Sequence, residues 1–265
     1  AGLLASDYVS PGIDQLFIGR AGVFTDVAAR QAFASCVPRQ ELFDTFGASN
    51  SNSGNTSGNS APGVVDARFV TTDELIYESV AAVAGGRFRQ PDLAAAAAAG
   101  PLTVRIGYLT PDDRRSAMVR AITQACAPAG ITIEDAGADD FAVSSLHAGN
   151  VDAVLTGTAG ANGSSGATER TGAMFAMRGG EGSNLGDFAS GRVDEIVDTL
   201  AVDAAPATVL RLASEAEEIM WRHVPTLPLF HQPRTIAVAD GMSAVEPNAA
   251  RTGTGWNMDR WVFRR

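Results

Sequence analysis

Residues 102–134 restrict the fold more than any other segment. Residues 102–109 (LTVRIGYL) alternate and are rich in β-formers, which predicts a strand. Thr110-Pro111-Asp112-Asp113 reads as a helix start, with a hydroxyl cap, a proline at the first position and two acids facing the positive end of the dipole. Met118, Val119, Ile122, Ala125, Cys126 and Ala129 then recur at helical spacing and give one buried face. Gly130 ends the helix, and residues 131–134 (ITIE) read as a second strand. A strand, a crossover helix and a strand predict a parallel pair within one sheet.

The rest of the chain continues the alternation. Strands are expected at 13–18, 151–155, 227–230 and 235–239. Helices are expected at 27–36, capped by Thr25 or Asp26, and at 39–46, 73–83, 91–99, 140–147, 190–200 and 203–224. Strands alternating with helices predict an α/β fold. Residues 47–63 form a low-complexity Ser/Asn/Gly stretch with too little apolar surface to repay ordering, and read as an exposed, mobile loop.

Composition removes several classes of function. The chain has 265 residues, roughly 1.8 times a ~150-residue domain, so one large or two small domains are expected. A net charge of −10 lacks the basic footprint of a nucleic-acid binder. No apolar run reaches the ~18 residues that a membrane span needs. Residues 1–7 (AGLLASD) have no signal-peptide pattern and read as a cut from a longer protein. All 20 basic residues are arginine, so lysine Schiff-base chemistry is excluded.

Catalytic motifs are missing too. There is no G-x-S-x-G elbow, no G-x-x-x-x-G-K-[ST] loop and no H-E-x-x-H. Gly157, Gly160, Gly163 and Gly166 follow a strand but read G-x-x-G-x-x-G, which is not a dinucleotide fingerprint. His147, His223 and His231 lack metal-ligand spacing and read as structural. His223 falls near a helix C-terminus, where the dipole favours an imidazolium. Cys36 and Cys126 read either as two buried free thiols or as a disulfide. The disulfide would close a loop of about 90 residues, add about 4 kcal/mol in the chain-entropy model and imply an oxidising compartment.

Several segments together resemble the family 5 solute-binding proteins of oligopeptide and dipeptide ABC transporters. Residues 24–42 (FTDVAARQAFASCVPRQEL) resemble that family's F-x-D-x-x-x-R-x-A segment through Phe24, Asp26, Arg30, Gln31, Ala32, Phe33 and Arg39, with Pro38 where the family usually has Asp. Residues 102–134 resemble its strand–helix–strand, including Ala129, Gly130, Ile131 and Ile133. Ser183-Asn184 and Asp194 resemble its S-N…D stretch, and residues 217–230 (EEIMWRHVPTLPLF) its helix ending in P-x-[IL]-P-L-[FY].

The resemblance implies an α/β, periplasmic-binding-protein-like (class II) second lobe, with a mixed sheet flanked by helices. Residues 1–225 would be the ligand-binding lobe, and 226–265 a tail returning to a first lobe. It further implies a non-enzymatic, monomeric, exported lipoprotein, actinobacterial by its Ala/Arg bias and anchored to the outer side of the cell membrane by an upstream segment. No cofactor is implied, and an ABC permease would be the partner. The alternative is a regulatory lipoprotein of phosphatidylinositol mannoside and lipoarabinomannan synthesis, with an envelope-synthesis protein as partner and a glycolipid as ligand. Peptide-binding members place a Trp and an Asp after the strand equivalent to 151–155, and residues 156–162 (TGTAGAN) contain neither. A ligand α-ammonium would lose a partner worth about 1.5–3 kcal/mol. A neutral or polyol solute fits better, held by Thr156, Thr158 and Asn162, with Arg170 available to an anionic group.

Overall fold

Five strands form the central sheet: β1 (Leu3–Ile18), β2 (Leu102–Gly107), β3 (Ile131–Asp135), β4 (Ala153–Gly157) and β5 (Thr226–Ala239). This computed structural model describes residues 3–47, 63–70, 74–157, 176–202, 205–245 and 257–263. The Ser/Asn/Gly stretch at 48–62 lies outside them. Strand order is β3-β2-β4-β1-β5. β2 runs parallel to β3 and β4, as the crossover pattern predicts. β1 is antiparallel to both β4 and β5, so the sheet is mixed.

Helices cover both faces. One layer holds α1 (Val27–Cys36), α2 (Arg39–Phe46), α4 (Leu93–Ala97) and α5 (Asp113–Cys126). The other holds α3 (Tyr77–Ala81), α6 (Gly191–Val202) and α7 (Pro206–His223). Strand alternation separates the two cores: Leu16, Ile18 and Leu155 pack under the first layer, and Phe17 and Val154 under the second. In α7, Val209, Leu212, Ala213, Ala216 and Met220 repeat at helical spacing and fill the second core. A disulfide joins Cys36 to Cys126, the last residues of α1 and α5.

Some local expectations change. α5 begins at Asp113, and Asp112 is its cap, accepting from the Arg115 amide at 2.8 Å. Thr110 lies two residues before that cap, where its amide donates to the Ala138 carbonyl and prolongs the β2 edge. The helix expected at 140–147 reduces to one 3-10 turn, Val143–Ser145. The strands expected at 227–230 and 235–239 are one strand, because β1 pairs along the whole length with two register shifts. A two-stranded ribbon, residues 3–9 against 233–239, continues beyond the five-stranded part.

Candidate functional site

β2, β3, β4 and β5 all run in one direction; β2, β3 and β4 end at one edge of the sheet, and β5 passes that edge into the ribbon. Ligands in open α/β sheets bind in the crevice outside such carboxyl ends. The start of the core part of β1 reaches the same edge, where Asp14 faces Gly157 of β4 and Phe230 of β5. Asp14 alternates with Leu16 and Ile18, so it points toward the first core and is fully buried. A buried carboxylate needs partners. Gln232 Nε2 donates to its Oδ1 at 2.9 Å, and Arg114 Nη2 donates to its Oδ2.

Arg114 sits in the first turn of α5. Its Nε donates to the Phe46 carbonyl at 3.4 Å, and the guanidinium lies 5.4 Å from the centroid of the Phe230 ring. Arg234 Nη2 donates to Gln232 Oε1 at 3.1 Å, which ties a second guanidinium to the same edge. Gly157 is required here: a Cβ would lie 1.9 Å from Gln232 Nε2. Along the edge toward β3, the Tyr108 hydroxyl donates to Asp135 Oδ2 at 3.0 Å, and burial pushes the Tyr108 phenol pKa up.

Of the residues read from the sequence as ligand-binding, Thr156 is the penultimate residue of β4 at this edge, half-buried and opposite Gln15. Thr158, Asn162 and Arg170 lie outside the described residues. Sequence reading passed over Asp14, Arg114, Gln232 and Arg234. The available signal was Asp14, an acid inside the apolar run IDQLFI at a core-facing position.

A second charged cluster surrounds Trp221. Arg39 is fully buried and donates from Nε to the Pro228 carbonyl at 2.7 Å, from Nη1 to the Arg87 carbonyl at 3.1 Å, and from Nη2 to Asp66 at 3.1 Å. Burial lowers its pKa to about 10, against the pull of Asp66. Arg68 stacks 4.0 Å from the Trp221 ring centroid and donates to Glu217 at 2.8 Å and to Thr226 through Nε and Nη2. Burial raises the Glu217 pKa although Arg68 opposes it. Every guanidinium nitrogen of Arg39 and Arg68 ends on protein.

His223 departs from the helix-dipole expectation. Its pKa is lowered, first by burial and then by Arg30, Arg222 and Arg20. Arg30 Nε donates to the His223 carbonyl at 2.8 Å, so a guanidinium already occupies that helix end.

A concavity of about 540 Å³ lies elsewhere, between α1, α4 and the last turn of α7, lined by Gln31, Ser35, Arg87, Phe88, Trp221 and Arg222 among others. It shares no residue with the carboxyl edge. Among the described residues, no group of three or more His, Cys, Asp or Glu side chains is placed to hold a metal ion. No described helix is long and apolar enough to cross a membrane.

No family model matches the sequence. An uncharacterized lipoprotein of Mycobacterium tuberculosis is 38% identical over 263 residues, and one of Mycobacterium leprae is 36% identical over 266. Each alignment covers 98% of this chain but only 45% and 46% of the relative, so the chain spans less than half their length. Among solved structures, a periplasmic EDTA-binding protein superposes with a TM-score of 0.83 at 16% identity, over 100% of this chain and 50% of that one. The Bacillus subtilis oligopeptide-binding protein AppA, in complex with a nonapeptide, gives 0.68 at 10%, over 99% and 53%. The Agrobacterium tumefaciens protein AgaA, in complex with agropinic acid, gives 0.71 at 13%, over 99% and 52%.

Proposed function

We propose a function that starts from the fold, which is that of periplasmic-binding-protein-like solute-binding proteins, as the resemblance implied. From that premise we propose that this chain is a solute-binding lobe and that its ligand contacts the carboxyl edge of the sheet. The observation that carries the reading is the polar set Asp14, Arg114, Gln232 and Arg234, linked by hydrogen bonds where β2, β3 and β4 end in one direction, with Thr156 beside it on the other face of β4. Solute-binding proteins grip ligand between two lobes that close by hinge motion. In this reading residues 1–225 form the gripping lobe together with the start of β5, whose Leu227, Leu229 and Phe230 lie in its core, and the chain leads to another lobe through the ribbon of residues 3–9 and 233–239. Exposed Leu3 and Leu4 on that ribbon are suited to packing there.

Export and a lipid anchor are part of the proposal, supported by the lipoprotein names of the mycobacterial relatives and by the disulfide, which belongs to oxidising compartments. The proposed role is non-enzymatic, with an ABC permease as partner, supported by neighbours that are transporter substrate-binding proteins. The relatives' names give no support to glycolipid regulation, and we do not carry that alternative forward. The test is calorimetry on the full-length protein with tripeptides, amino acids, polyols and polycarboxylates. Saturable one-to-one binding supports the reading. Heat from turnover of these solutes, without a saturable binding isotherm, contradicts it.

A further inference from the structure

Beside β1 and β5 the carboxyl edge carries a linked set of one carboxylate, Asp14, and two guanidiniums, Arg114 and Arg234. Asp14 is fully buried and turned inward, so it neutralises Arg114 without facing the crevice. Asp135, held by the Tyr108 hydroxyl, lies farther along the edge toward β3 and is not part of this linked set. Arg114 keeps a third of its side chain exposed. Its Nη1 has no hydrogen-bond partner among the described residues, and neither have Nε and Nη1 of Arg234. Gln232 links the two: its amide nitrogen serves Asp14 and its amide oxygen holds Arg234. Gly157 leaves the space in which that amide lies.

Guanidinium groups with leftover donors, fixed in direction by a buried acid and an amide, match the geometry of a carboxylate. We infer that the edge selects solutes bearing a carboxylate, with Arg114 and Arg234 as its donors and with Asp14, Gln232 and Gly157 as positioning residues. This rests on the solute-binding reading above. It departs from the neutral or polyol ligand expected from the sequence, because that expectation weighed only the residues after β4.

The test is calorimetry on the full-length protein with EDTA, citrate, triglycine, triglycine C-terminal amide and myo-inositol as probes. Carboxylate-bearing probes should bind, and amidation of triglycine should weaken binding by about 10- to 100-fold. Arg114→Gln and Arg234→Gln should each weaken carboxylate binding by about tenfold or more and leave myo-inositol unaffected. Among the described residues Arg234 partners no buried acid, so Arg234→Gln keeps the test open should Arg114→Gln unfold. If myo-inositol or the amide binds as tightly as the acids and the Arg234 variant behaves as wild type, this inference falls while the solute-binding reading stands. If none of the five probes binds, the solute-binding reading fails on this panel and the inference with it.

Discussion

The two charged clusters of this chain are built from the same parts and end differently. Around Trp221, Arg39 and Arg68 meet Asp66 and Glu217, and every guanidinium nitrogen is used by protein acceptors. At the carboxyl edge, Asp14 meets Arg114 and, through Gln232, Arg234, but donors remain over. Burial alone therefore does not mark a site. A closed cluster fixes the junction of α2, α7 and β5, whereas an open one at the end of a sheet has capacity left for a ligand. Trp221, packed under both Arg39 and Arg68, belongs to the closed kind.

The largest effect is expected from breaking the closed cluster. Glu217→Ala leaves the buried Arg68 guanidinium without its acid, and should destabilise the fold by about 3–5 kcal/mol in urea unfolding. A loss below about 1 kcal/mol would mean that this cluster is as tolerant as the edge. Next comes the bond that fastens α5, the helix that carries Arg114. Replacing Cys36 and Cys126 by serine should lower stability by about 2–5 kcal/mol, read from the same midpoints.

Smaller effects belong to the open cluster. Arg114→Gln removes one of two partners of Asp14 and should lower stability by about 1–3 kcal/mol. Arg234→Gln strips only a half-buried guanidinium and should stay within about 0.5 kcal/mol, while still weakening carboxylate binding. The smallest is a pH effect at the far end of α7. His223 has a native pKa below its ordinary ~6.5, so the unfolded chain binds more protons there. Its contribution is present above pH ~6.5 and is lost as pH falls through the native value. His223→Gln should flatten that part of the stability–pH profile and leave the neutral region unchanged.

Much of the fold was legible because periodicity and punctuation agree in it. The β2–α5–β3 unit carries alternation, a helical face and a glycine stop within one stretch, and its strands pair in parallel. The helix expected at 140–147 is too short to repay helix nucleation, and only a 3-10 turn forms while Phe141 and Leu146 still pack on the second core. The join of two short strands into β5 was hidden because its continuity comes from β1, which is over 200 residues away in sequence. The same distance hid the site. Asp14 and Gln232 are 218 residues apart, and Asp14 and Arg114 are 100 apart, so no local motif contains them. Thr156 was singled out because it follows the strand expected at 151–155, and β4 runs through it to Gly157.

The central claim is that solute meets this chain at the carboxyl edge and not at the concavity beside α1. All 20 basic residues are arginine, so ¹⁵N-arginine labelling of the full-length protein reports on both places at once. On saturation with metal-free EDTA, the account predicts that the side-chain Nε resonances of Arg114 and Arg234 shift while those of Arg87 and Arg222 in the concavity stay in place. Shifts of Arg87 and Arg222 with Arg114 and Arg234 unmoved would contradict it.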